Sequence, residues 1–160
     1  MKRRAALIVF LSSITGCIGL VPSDGSSIPS LPAVVTDFTF DLPPNVDQDP
    51  QAKPEITVDQ SKREVFVEGV LYVGSNKCFE AKIGDVTYTD STSHLTIRVV
   101  PGKSDQHPDN SLLNRSCTDV LSPDGYSISL RVTDDVEKIT VRESSKGFED
   151  RSASVSFQKF

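Results

Sequence analysis

Tryptophan is absent from this 160-residue chain, the one methionine is the initiator, and there are only three cysteines and two histidines. So few thiols and imidazoles rule out a zinc ribbon, a cysteine-rich miniprotein and an iron–sulfur cluster held by four thiolates. Positive charge is also short, with 17 Lys and Arg against 22 Asp and Glu and a net charge of −5. A nucleic-acid binder needs a basic face against phosphates, so the balance argues against that partner. No two apolar runs are long enough for a pair of membrane-spanning helices, which excludes a polytopic membrane protein. Missing too are a Gly-x-Ser-x-Gly elbow, a His-Glu-x-x-His helix, a phosphate-binding glycine loop and a Cys-x-x-Cys pair. The length suits one domain with tails.

What is present begins with a tripartite N-terminus. Lys2, Arg3 and Arg4 precede the apolar run Ala5 to Leu11, and a small, polar stretch leads to Cys17. That is the layout of a secretory signal, assigned here to residues 1–16. The segment Ile14-Thr15-Gly16-Cys17 resembles the lipobox of prokaryotic lipoproteins, in which the Cys is lipidated. Two acyl chains on Cys17, at about 0.8 kcal/mol per buried methylene, would anchor the protein stably where one chain would not. The competing reading is an uncleaved anchor helix, since Ala5 to Val21 sits at the lower length limit for crossing a bilayer. Arg3-Arg4 also resembles a twin-arginine export signal, without its usual Phe. Loss of the signal leaves 14 basic against 22 acidic residues and a net charge of −8.

Seven of the ten prolines fall between Val21 and Pro54, among several serines. Such composition cannot bury enough apolar surface to offset chain entropy, so residues 17–54 read as a tether carrying the lipid. Within it, Phe38, Phe40 and Leu42 alternate with Asp37, Thr39 and Asp41, the period of a half-buried strand over 34–42. This segment is expected either to dock on the domain as an edge strand or to serve as an apolar contact for a partner.

From residue 55 to 160 the chain reads as short strands separated by turns. Val65, Val67, Leu71 and Val73 share one face, and Phe66, Val70 and Tyr72 cover the other, which marks a central strand. Phe79, Ala81 and Ile83 alternate until Gly84-Asp85 slips the phase by one residue, predicting a bulge. Leu95, Ile97 and Val99 form the cleanest alternation, followed by a long polar loop from Pro101 to Arg115. Ser122-Pro123-Asp124-Gly125 reads as a turn before the run Tyr126, Ile128, Leu130 and Val132. Ile139 with Val141, then Val155 with Phe157, complete the pattern. No segment holds a 3.6-residue period. The expectation is an all-β chain: one small antiparallel β-sandwich, immunoglobulin-like or related, behind a flexible N-terminal tether.

With Cys17 assigned to the lipid, Cys78 and Cys117 remain as an even pair in a chain destined for export, where disulfides form. Few other residues suggest chemistry. His94 lies beside a strand and His107 in the long loop. Asp105, Asp109 and Asn110, and Asp134 with Asp135, offer oxygen ligands for Ca²⁺ but lack EF-hand spacing and read as solvated loops. Asn114-Arg115-Ser116 fits the N-glycosylation pattern. No catalytic residue, metal or cofactor is expected.

The motif Thr15-Gly16-Cys17-Ile18-Gly19, together with Cys78, Ala81, Val86-Thr87-Tyr88, Leu95 to Val99, Cys117-Thr118 and Tyr126, resembles uncharacterised small exported lipoproteins of the haloarchaeal type. The resemblance implies an anchored, β-rich extracytoplasmic domain with a bonded Cys pair; it implies no mechanism. The expected function is thus a non-enzymatic binding or interaction module of the cell envelope. Its membrane contact is the lipid on Cys17, on the outer face of the cytoplasmic membrane, and its partner is an envelope protein or ligand. The alternatives are an anchored envelope hydrolase and a purely structural envelope protein.

Overall fold

Eight strands among the described residues account for the alternating patterns. The computed structural model describes residues 29–158 other than 45, 47, 76, 77, 105–116, 118 and 119. The signal 1–16, Cys17, His107, Asn114 and the Asp105–Asn110 group lie outside the described residues. The elements are β1 (Val35–Asp41), β2 (Glu55–Asp59), β3 (Glu64–Val73), β4 (Phe79–Thr89), a 3₁₀ turn at Asp90–Thr92, β5 (His94–Lys103), β6 (Ser122–Val132), β7 (Lys138–Glu143) and β8 (Arg151–Ser156). They form two four-stranded sheets, in the orders β1-β6-β3-β2 and β4-β5-β7-β8, called A and B below.

Period-two alternation fills the space between the sheets. Val65, Val67, Leu71 and Val73 of β3 and Tyr126, Ile128, Leu130 and Val132 of β6 meet Ala81, Val86, Leu95, Ile97, Val99, Ile139 and Val141 from sheet B. Each such aliphatic side chain contributes about 1.5–3 kcal/mol when fully removed from water. The chain is all-β, and no α-helix occurs among the described residues. The stretch expected at 34–42 is β1, an edge strand paired with β6, whose Phe38 and Phe40 pack against the core. The phase slip at Gly84 is a register shift between Ile83 and Asp85. Cys78 and Cys117 are disulfide-bonded, with Cα atoms 5.9 Å apart.

Three expectations require correction. Pro101, Gly102 and Lys103 are not loop but the end of β5, opposite Ala81, Glu80 and Phe79. Ser122 to Gly125 is not a turn but the start of β6, opposite Val73 to Val70. Both prolines lie where a neighbouring strand has stopped: β7 reaches only Val99 of β5, and β1 reaches only Ser127 of β6. A missing N–H costs no ladder bond on such an open side. The third correction concerns strand direction, which is not antiparallel throughout. Strand β5 ends at the pole of the disulfide, the chain returns through β6 in the other sheet, and β7 therefore starts beside the beginning of β5 and runs parallel to it.

Val46, Pro50 and Ala52, read from the sequence as part of the tether, are held on the body. Val46 packs on Gly125, where an added Cβ would approach its Cγ2 to 2.5 Å. Arg151 of β8 donates to the carbonyls of Pro50 and Ala52. The chain enters at the pole where the Thr133 N–H donates to Val34 O at 2.9 Å. The disulfide lies at the opposite pole, about 33 Å away along the ten residues of β3.

Candidate functional site: the outer face of sheet A

Strand alternation that buries one face of sheet A sets out the other as a grid, and the register gives its rows. One row crosses the sheet as Asp41, Ser127, Glu68 and Glu55. The next is Thr39, Ser129, Phe66 and Thr57, and the third is Asp37, Arg131, Glu64 and Asp59. Above the first row, Val70 and Gly125 pair with one another, and Val46 packs on Gly125. A groove of about 270 Å³ runs over the first two rows, lined by the residues Asp41, Glu55, Thr57, Phe66, Glu68 and Ser127 among others. Phe66, which lines it, is 46% exposed.

The rows differ in how their charge is balanced. In the third, Arg131 pairs with Glu64. Asp59 accepts from Ser61 Oγ at 2.7 Å and from the Ser61 and Lys62 N–H groups, which lower its carboxyl pKa. In the first row, Asp41, Glu55 and Glu68 have no ion pair or side-chain hydrogen bond among the described residues, and Glu55 stands directly opposite Glu68. Like charges in register across two strands destabilise a sheet.

Beneath this face lies a buried polar cluster that the sequence reading did not anticipate. Tyr126 Oη donates to Glu143 Oε1 at 2.8 Å, and Arg151 Nη2 lies 3.0 Å from Glu143 Oε2. Glu143 is completely buried. Burial raises its carboxyl pKa, against the lowering by the Tyr126 hydrogen bond and the Arg151 charge. Burial, then the charge of Glu143, push the Tyr126 phenol far above its ordinary range, so it is a fixed donor. Arg151 Nη2 also donates to Val70 O at 3.0 Å and to Ser145 Oγ at 3.1 Å, while Ser145 Oγ accepts the Tyr72 N–H at 3.2 Å. Strand β2 stops opposite Glu68, so these groups take over the backbone of β3 beyond that point. The cluster thus fixes β3 and β6 immediately beside Glu68 and Ser127. A charged residue at the end of an alternating strand, as Glu143 is in β7, was the available signal for it.

The residues singled out from the sequence lie elsewhere. His94 Nε2 is 2.8 Å from Thr140 Oγ1, which in turn meets Ser154 Oγ at 2.7 Å, a string across β5, β7 and β8. Burial, then the charge of Lys138, lower the His94 pKa. Asp134 pairs with Arg63 at 3.2 Å and Asp135 accepts from Thr133 Oγ1. No three metal-ligating side chains converge among the described residues. Cys117 closes the disulfide at the far pole, away from the groove.

Comparison with protein families, with characterised proteins and with solved structures gives no match for this chain.

Proposed function

We propose that this protein is an extracytoplasmic lipoprotein, anchored through Cys17 to the outer face of the cytoplasmic membrane, whose sandwich acts as a binding module of the cell envelope. Docking takes place on the outer face of sheet A. The observation that carries this reading is Phe66, held 46% exposed in a groove whose first row of carboxylates has no ion pair among the described residues. The like charges of Glu55 and Glu68 in register cost the free protein stability, and a partner that brings opposite charge while covering the Phe66 ring offsets that cost. A sheet face also suits docking, because its side chains stand on rigid backbone and need little ordering on contact.

Two experiments test the two halves of the reading. Cys17→Ser is expected to leave the precursor uncleaved or to release the protein to the medium, and an unmodified Cys17 in the mass spectrum of the wild-type protein would refute the anchor. A photo-cross-linking residue at Thr57, on the face, is expected to give a discrete adduct in growing cells that disappears when Phe66→Ala is added. The same residue at Ser154, exposed on sheet B, is expected to give none. Adducts of equal yield at both positions, or none at Thr57, would remove sheet A as the docking face.

A further inference from the structure

We infer that the occupant of the sheet A groove is an extended, arginine-bearing segment of a partner protein, a deepening that rests on the docking reading above. Asp41, Glu68 and Glu55 lie in one row across four strands, spaced by about 4.8 Å per strand, with Ser127 between the first two. Phe66 occupies the adjacent row, about 6.7 Å along β3 from Glu68. An exposed aromatic face beside carboxylates with no ion pair among the described residues is the composition that receives a cation, through the ring quadrupole and charge-assisted hydrogen bonds together. The third row already holds a cation of its own: Arg131 pairs with Glu64 and stands opposite Asp37, while Asp59 is held by Ser61 and Lys62.

The shape of the groove narrows the cation. At about 270 Å³ it is smaller than the pockets of roughly 300–1,000 Å³ that enclose drug-sized ligands, and it takes side-chain heads in preference to a whole small molecule. A bare metal ion is a poor fit, since no three ligating side chains converge among the described residues. Anionic lipid and nucleic acid meet the wrong sign. A guanidinium is planar, offers five donors and stacks on aromatic rings, so one head spans Glu55 and Glu68 while lying against Phe66. A second reaches Asp41, farther along the same row. Thr57, Ser127 and Ser129 supply hydroxyls for the polar groups between the two. A partner bound this way also relieves the Glu55–Glu68 repulsion, which the free protein leaves in place.

The test is fluorescence anisotropy of a labelled Ser-Arg-Ser-Arg-Ser-Arg peptide with the full chain in non-ionic detergent. Wild type is expected to bind it more tightly than the lysine counterpart and more weakly as salt is raised. The Glu55→Gln/Glu68→Gln pair is expected to weaken binding about tenfold, and Phe66→Ala about threefold, the scale of an exposed cation–π contact. Glu149→Gln, which removes one exposed carboxylate outside the groove lining, is expected to leave binding unchanged. Absent binding, equal loss in Glu149→Gln, or displacement of the peptide by submillimolar Ca²⁺ would overturn the inference. If the Thr57 adduct nevertheless persists and still depends on Phe66, the docking face stands and only the arginine-bearing partner falls. Loss of both ends both.

Discussion

Gly69 lies directly opposite Tyr126 across β3 and β6, and the volume its missing side chain leaves is occupied by the Tyr126–Glu143 hydrogen bond. A Cβ at position 69 would come within 2.3 Å of Glu143 Oε1 and 2.5 Å of Tyr126 Oη. The polar cluster and the glycine are therefore one feature. Phe40 of β1, stacked at 6.2 Å on the Tyr126 ring, ties the edge strand to the same point.

Gly69→Ala is accordingly expected to destabilise the domain by about 2–3 kcal/mol, the upper part of the range for overpacked cores. Urea unfolding measures it. The double variant Gly69→Ala/Glu143→Ala, which clears the nearest obstruction, should not lose the sum of the two single effects, because the sites share that contact. Strict additivity would show that the contact is not what excludes alanine.

Arg151 serves Glu143, the carbonyls of Val70, Pro50 and Ala52, and Ser145 at once. Arg151→Met keeps much of the volume but leaves Glu143 buried without its cation, a loss of about 3–5 kcal/mol. Arg151→Lys is expected to recover only part of this, since one ammonium cannot replace the fork that holds so many acceptors. Limited proteolysis offers a second readout: cleavage within residues 42–54 should rise in Arg151→Met. Unchanged cleavage there would show that Arg151 does not hold that segment.

The buried carboxyl also carries a pH signature. Glu143 has a folded-state pKa raised above its ordinary 4.5, with burial as the main cause. Between those two values the folded protein binds more protons than the unfolded chain, so stability falls as pH rises through that window and levels off above it. Glu143→Gln cannot titrate there. The urea midpoint of wild type minus that of Glu143→Gln should therefore drop as pH rises from about 4.5 and then become flat. A difference that grows with pH would mean that Arg151 outweighs burial.

What was legible in the sequence was whatever one strand decides for itself. Alternation at Val65–Val73, Leu95–Val99 and Tyr126–Val132 located the core strands, and the slip at Gly84 located the bulge. Pro101-Gly102 and Ser122–Gly125 misled because proline and glycine signal turns unless a neighbouring strand has ended, and that depends on register between distant segments. The groove was hidden for the same reason. Phe66 looked like half of a doubly apolar strand, and Asp41, Glu55 and Glu68 become one row only when β1, β6, β3 and β2 are laid side by side.

The Cys78–Cys117 bond closes a 39-residue separation that spans β4 and β5. In the chain-entropy account this contributes about 4 kcal/mol through the unfolded state. The Cys78→Ala/Cys117→Ala pair is expected to unfold at markedly lower urea, and reductant is expected to lower the wild-type midpoint to match. A wild-type midpoint indifferent to reductant, with two thiols alkylated in the native protein, would show that the bond is not formed.

Glu55 and Glu68 supply the last prediction, because here binding and stability pull in opposite directions. They face each other in register on adjacent strands, and neither has an ion pair among the described residues. Glu68→Gln preserves size and removes one charge. A cross-strand pair is worth about 0.2–1 kcal/mol, so the melting temperature of the free protein should rise by about 1–4 °C. The gain should be largest at low ionic strength, where the Debye length is about 30 Å, and nearly vanish at 1 M, where it is about 3 Å. Glu149→Gln, which removes an exposed carboxylate outside the groove lining, should not show it. A salt-independent change, or a loss of stability in Glu68→Gln, would mean that the two carboxylates do not repel. Their being opposite would then cost nothing and give no reason for the groove to hold a cation.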